Sequence, residues 1–233
     1  MEKKNVKTKV YNVIIMDRSG SMWDIRKPAI AGYNEVLGGV KAAATKFGET
    51  QEHFFTLVLF DSESIDEVYW NAPVDKASPL TEETYVPGAC TPLYDAMGRT
   101  LTKLEKQLAG DGNHSVVVTV ITDGYENYSK EYNLAAIKSM IEHLKLQGWT
   151  FAYMGTDHDV EGVTIGLSIT NVIKFEKTAE ETVKTFKRER RARERYLEEV
   201  DAFNHIAPGA SVEARINFNT TLAQNYYNED KED

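Results

Sequence analysis

The stretch Val10-Tyr11-Asn12-Val13-Ile14-Ile15-Met16-Asp17-Arg18-Ser19-Gly20-Ser21-Met22 runs an almost unbroken apolar segment straight into a carboxylate and two hydroxyls. A short apolar run rich in β-branched residues reads as a strand covered on both faces, as in a parallel sheet. Asp17, Ser19 and Ser21 follow at i, i+2 and i+4. On extended backbone these side chains point to one side, where they can face a single hard cation. The segment predicts a strand that ends in half of a metal site.

The same kind of run recurs at Phe54 to Phe60, Val116 to Ile121, Trp149 to Met154 and Val172 to Phe175. Between the runs lie helical periods. Ile30, Tyr33, Leu37, Val40, Ala44 and Phe47 mark one apolar face, and Leu93, Met97, Leu101, Leu104 and Leu108 mark the next. Leu134, Ile137, Ile141 and Leu144 mark a third, stopped by Gly148. Ser64 to Trp70 follows the second strand too closely for a helical crossover, so it should pair antiparallel as a hairpin at the sheet edge. The pattern predicts a doubly wound α/β domain with a mostly parallel six-stranded sheet, one antiparallel edge strand and helices on both faces. Its expected span is 8–177. A charged helix over 178–205 would pack on the domain or extend from it, and 206–233 would form a partly disordered arm containing a short strand at Val212 to Phe218.

With 36 acidic and 27 basic residues the 233-residue chain carries a net charge of −9, which disfavours broad attraction to nucleic acid or acidic membrane. The charged start and the short first apolar run predict neither signal peptide nor membrane helix. Cys90 is the only cysteine, so no intrachain disulfide can form. A cytoplasmic protein is the expectation; oligomeric state is open.

Ligands of doubly wound sheets gather beyond the carboxyl ends of the strands where the winding reverses. Asp17 stands at such an end, and so does Asp123 in Ile121-Thr122-Asp123-Gly124 on the neighbouring strand. Thr91-Pro92-Leu93 opens the second helix, with Pro92 at its first position. Thr91 can be its cap or can turn to the cation.

Asp17, Ser19, Ser21, Thr91 and Asp123, within DRSGSM, GACTPLYDA and ITDG, resemble the metal-ion-dependent adhesion site of the von Willebrand factor type A family, over roughly Val10 to Phe175. The likeness is to its bacterial stand-alone cytoplasmic members. It implies an octahedral Mg²⁺, or Mn²⁺, held by the serines and the threonine, with the aspartates binding directly or through water. An all-oxygen set suits a hard cation and argues against zinc or copper. The resemblance further implies one open position on the ion, which an Asp or Glu of a protein partner would fill. Two departures stand out: Arg18 in the variable position, and Ala89-Cys90 where small, often glycine-rich residues usually precede the threonine. Arg18 is read either as lying near the metal or as a surface arginine without a role, and Cys90 as packed like a small apolar residue.

Trp23, Tyr94, Tyr125 and Tyr128 fall beside the three motifs. Trp23 and Tyr125 are the expected partner-binding rim, with packing against the sheet the alternative for Trp23 and Tyr94. Asp157-His158-Asp159 either extends an acidic lip or starts a helix. Lys187 to Arg195 holds six basic and two acidic residues, which suit a solvated helix face or, as an alternative, contact with RNA or an acidic protein. The expected function is a non-enzymatic, metal-dependent protein-binding module, an adaptor or subunit of a larger intracellular complex. Its rival is a Mg²⁺-dependent phosphohydrolase with Asp17 as nucleophile. That reading lacks an acid near Asp17 to protonate the leaving group, since Ser19 stands there. A nucleotide-binding fold fails for want of GxGxxG or GxxxxGK[ST] after the first strand.

Overall fold

The computed structural model describes residues 7–156 and 160–227. Along the chain come β1 (Thr8–Asp17), a 3₁₀ turn (Gly20–Ile25), α1 (Arg26–Lys46), β2 (Gln51–Phe60), β3 (Ile65–Pro73), α2 (Leu93–Leu108) and β4 (His114–Thr122). Then follow α3 (Leu134–Leu146), β5 (Thr150–Gly155), α4 (Val160–Gly166), β6 (Asn171–Lys174), α5 (Ala179–Ile206) and α6 (Val212–Gln224). The six strands stand in the order β3-β2-β1-β4-β5-β6. Every pair is parallel except β2 with β3, which is the antiparallel edge hairpin expected from its short connection.

The first strand explains its own sequence. Val10, Ile14 and Met16 face a core shared with α1 and α5, while Tyr11, Val13 and Ile15 face a core shared with α2 and α3. Side chains alternate across a strand, so a strand covered on both faces must be apolar at consecutive positions. On the first face α1 and α5 press together. A Cβ at Gly32 would lie 2.1 Å from the Phe186 ring, so only glycine allows that approach.

Asn12 breaks the apolar run, and α5 accounts for it. Asn12, Thr119, Glu189 and Arg193 are all fully or almost fully buried. Arg193 donates to Asn12 Oδ1 at 3.0 Å, to Thr119 Oγ1 at 2.8 Å and to Glu189 Oε1 at 2.8 and 3.1 Å. Glu189 also accepts from Thr119 (2.9 Å), from Tyr226 (3.0 Å) and from Tyr227. The stretch read as a solvated basic face is thus largely committed inward. Arg188 and Arg195 donate to the carbonyls of Tyr227 and Tyr226, and Arg190 pairs with Glu35 and Glu194.

Four local expectations are corrected. Val212 to Phe218 is not a strand but the first part of α6, capped by Ser211 Oγ accepting from the Ala214 amide at 3.2 Å. Its inward face carries Arg215 and Asn219, which hydrogen-bond rather than pack, so apolar periodicity cannot reveal the helix. Asn219 accepts from Ser115 Oγ (2.9 Å) and donates to the His114 carbonyl (3.1 Å). The segment expected as an arm is therefore helical and packed, and Tyr226 and Tyr227 are buried; residues 228–233 lie outside the described residues. At the second helix, α2 starts at Leu93 with Pro92 in the capping position and no side-chain cap, so Thr91 does not cap it. Cys90 is exposed rather than packed. Arg18 is not a surface arginine without a role. It donates to Asp61 (2.8 Å) and Ser64 (2.7 Å) and pairs with Asp66 (2.9 Å), fastening the motif to the β2–β3 turn.

Candidate metal centre

Because β1 and β4 are parallel neighbours with Met16 opposite Ile121, their carboxyl ends bring Asp17 and Asp123 to one place. Both carboxylates are buried, Asp17 at 0% and Asp123 at 2% exposure. The Ser19 amide donates to Asp17 Oδ1 and the Thr122 hydroxyl to Asp17 Oδ2, each at 2.6 Å. Ser21 Oγ donates to Asp123 Oδ1 at 2.5 Å and lies 3.1 Å from Ser19 Oγ. Burial pushes the Asp17 carboxyl up to about 6, against the bonds from Thr122 and Ser19, and nearby Asp123 adds to the rise.

Thr91 enters from the loop before α2, and Gly124 shows where. A Cβ on Gly124 would stand 3.3 Å from Ser21 Oγ and 3.7 Å from Thr91 Oγ1. The two hydroxyls therefore converge on one small space that a larger residue would fill. All five expected site residues, Asp17, Ser19, Ser21, Thr91 and Asp123, are thus assembled from three separate segments. Asp123 Oδ2 accepts no hydrogen bond among the described residues, although Lys177 Nζ lies 2.9 Å away as an ion pair outside hydrogen-bonding direction.

The donor chemistry fits a hard divalent cation. Two buried carboxylates and three hydroxyls supply only oxygen, and together the carboxylates carry the charge that one such ion balances. Among the described residues no group of three or more His, Cys, Asp or Glu side chains is placed to hold a metal, so the hydroxyls are essential to any site here.

Several groups that hold this arrangement escape the sequence reading. Asn127 locks Thr91 in place, accepting from its amide at 2.8 Å and donating its own amide to the Thr91 carbonyl at 3.1 Å. Asp95 accepts from the amides of Lys130, Glu131 and Tyr132, and Glu126 accepts from those of Tyr94, Tyr128 and Ser129. Tyr85 donates to the Asp17 carbonyl at 2.6 Å. Ala89, in the loop bonded to Gly20, sits at φ +60°. That backbone region favours glycine, which accounts physically for the glycine-rich preference at this place. Only Thr122, inside ITDG, and Lys177, just past the last strand, leave a trace in the sequence pattern.

At the surface around the centre, Trp23 is 54% exposed and Tyr125 55% exposed, and Tyr128 is exposed as well. Tyr94 is half-buried against the α2 core. The expected lip at Asp157-His158-Asp159 lies outside the described residues.

No family model matches the chain, and no curated protein matches it. Solved structures do share its fold. The PilB minor pilin of Streptococcus sanguinis superposes with a TM-score of 0.55 at 13% identity, over 87% of this chain and 64% of its own. The vWF domain of the type V pili tip protein Mfa5 from Porphyromonas gingivalis gives 0.52 at 12%, over 78% and 95%. The manganese-loaded TRAP protein of Plasmodium vivax gives 0.51 at 14%, over 79% and 74%. The chain thus spans less than two thirds of some of the proteins it matches. No described helix is long and apolar enough to cross a membrane. Strand order, the single antiparallel edge and the helices on both faces make this a von Willebrand factor A-like α/β fold.

Proposed function

We propose that the chain is a metal-dependent protein-binding module with an intact adhesion-type metal site, a cytoplasmic member of the von Willebrand factor type A family. In this reading Asp17, Ser19, Ser21, Thr91 and Asp123 hold Mg²⁺, with Mn²⁺ an alternative. The bound ion would supply a Lewis-acidic position for an Asp or Glu of a partner protein. The observation that carries the reading is the hydroxyl-linked pair of buried carboxylates beside the small space at Gly124. Trp23 and Tyr125 would give the partner an apolar rim, and the module would serve as an adaptor or subunit of a larger assembly.

Binding rather than catalysis is supported by the state of Asp17. It is fixed by two hydrogen bonds, from the Ser19 amide and the Thr122 hydroxyl, and the carboxylate has no exposed surface. A substrate cannot reach a carboxylate without accessible surface, whereas its remaining lone pairs can still serve an enclosed cation directly or through water. The RNA reading weakens because Arg188, Arg190, Arg193 and Arg195 serve internal contacts.

The test is capture of partners from the native host by wild type and Asp17→Ala, with Mg²⁺ or with EDTA. Partners should be held only by wild type with metal. Identical partners in all lanes would refute the reading, and phosphate release by wild type alone would favour the hydrolase.

A further inference from the structure

Asp123 already faces a cation of the chain's own. Lys177 Nζ stands 2.9 Å from Asp123 Oδ2, the carboxylate side chain being wholly enclosed and that of the lysine 20% exposed. Anchors on both sides place this lysine. Lys174 ends β6 opposite Gly155, the Phe175 amide donates to the Gly155 carbonyl at 3.1 Å, and Thr178 caps α5 by accepting from the Glu181 amide at 3.1 Å. Lys177 lies in the short link between, at the same end of the sheet as Asp123.

The contact is one of charge rather than of directed bonding. Asp123 Oδ1 accepts from Ser21 Oγ at 2.5 Å, while Oδ2 accepts no hydrogen bond among the described residues. Other cations of these segments are matched elsewhere: Arg18 pairs with Asp61 and Asp66, and Lys184 with Glu180 and Glu181. Among the described residues Lys177 is the one cation paired with either buried carboxylate of the centre.

The charges then decide between two occupants. Asp17 and Asp123 against one ammonium leave one negative charge over, and against one divalent ion they leave none. Against both cations they leave one positive charge too many, in a buried setting where screening is weak and like charges at one carboxylate repel. Resting on the metal reading above, we propose that Lys177 is a resident competitor at the metal centre: its ammonium holds Asp123 until a divalent ion takes the carboxylate, and this exchange keeps the ion's affinity below what the five oxygen donors alone would give.

The test is a Mg²⁺ titration of the full chain by calorimetry, for wild type, Lys177→Met and Lys177→Arg. Lys177→Met should bind Mg²⁺ about tenfold more tightly than wild type or better, and Lys177→Arg, which keeps the charge, should stay within about threefold of it. A second measurement needs no variant. Acylation of wild-type lysines, read by mass spectrometry, should show Lys177 labelled severalfold faster in Mg²⁺ than in EDTA. If wild type binds Mg²⁺ but folded Lys177→Met binds it no more tightly, if Lys177→Arg tightens binding as much, or if Lys177 labelling does not respond to the ion, the competition is refuted and the metal site stands. If wild type shows no saturable Mg²⁺ binding, the metal reading falls and the competition with it.

Discussion

Glu189→Gln should be among the most damaging single changes in this chain, although it alters no apolar contact and lies away from the metal centre. Glu189 has no exposed surface and Arg193 only 1%. The substitution keeps shape and removes the charge, which leaves the Arg193 guanidinium buried with neutral partners alone, Asn12, Thr119 and the new amide oxygen. Breaking a buried pair from one side costs about 3–5 kcal/mol. A domain of this size loses about 2–4 °C of Tm per kcal/mol, so melting should fall by about 10 °C. Urea unfolding followed by far-ultraviolet circular dichroism measures the difference. The companion is Glu189→Gln with Arg193→Met, which removes both charges while the amide oxygen at 189 still accepts from Thr119 and Tyr226, and it should recover most of the loss. A loss below about 1 kcal/mol for Glu189→Gln, or a double variant no better than the single, would refute the view that charge compensation rather than packing secures α5.

Three further outcomes are expected. Gly124→Val should fold but fill the space beside Ser21 and Thr91; wild type should gain about 2.7 kcal/mol of stability at Mg²⁺ one hundred times its Kd, read by thermal shift, and the variant should gain nothing. Ala89→Gly should stabilise by about 0.5–1 kcal/mol in urea, since it relieves a left-handed φ of +60° while keeping the carbonyl that accepts from Gly20. His53 is buried with neither ring nitrogen bonded, beside a recess lined by Lys7, Lys41, Glu52 and Asp75, and burial lowers it from 6.5 to about 4. The unfolded chain therefore binds the proton first, so His53 should withdraw about 3 kcal/mol of stability in full as pH drops from 6.5 toward 4, while Asp17, raised to about 6, contributes in the opposite sense; His53→Phe should therefore become more stable relative to wild type as pH falls through that window in an acid titration of unfolding.

The fold is legible in the sequence where burial is apolar and complete. Val10 to Met16 has the same character on both faces, so its strand and its two covering layers can be read from residue types alone. The site is legible because Asp17, Ser19, Ser21, Thr91 and Asp123 lie at element ends whose meeting follows from the winding. Legibility fails where polar groups are buried against each other. Arg193 and Glu189 look like surface residues on a charged helix, and Arg215 and Asn219 hide the inward face of α6. Hydropathy treats such residues as exposed, and only the partner across the fold, Asn12 or Ser115, shows otherwise. Thr91 misleads for a related reason: a threonine before Pro-Leu has the form of a cap, while its backbone is in fact held by Asn127.

The charge around the centre bears on what would dock there. The chain as a whole is acidic at −9, which should repel an acidic partner at long range. Close to the site, cations stand against the aromatic groups. The Arg26 guanidinium stacks 4.8 Å from the centre of the Trp23 ring, Lys130 Nζ stands 4.5 Å from that of Tyr128, and Lys177 reaches Asp123. Arg18, the other cation of the motif, is neutralised by Asp61 and Asp66 and adds nothing outward. Aromatic faces backed by cations around a buried pair of carboxylates favour a partner that presents one carboxylate within an apolar setting, and the remaining acidic surface disfavours broadly acidic ligands such as nucleic acid. Selectivity would then come from the rim, and affinity from the centre. Trp23→Ala and Arg26→Ala should therefore widen the range of captured partners or weaken capture while leaving Mg²⁺-dependent stabilisation intact, whereas loss of that stabilisation in either variant would show that rim and centre are one unit.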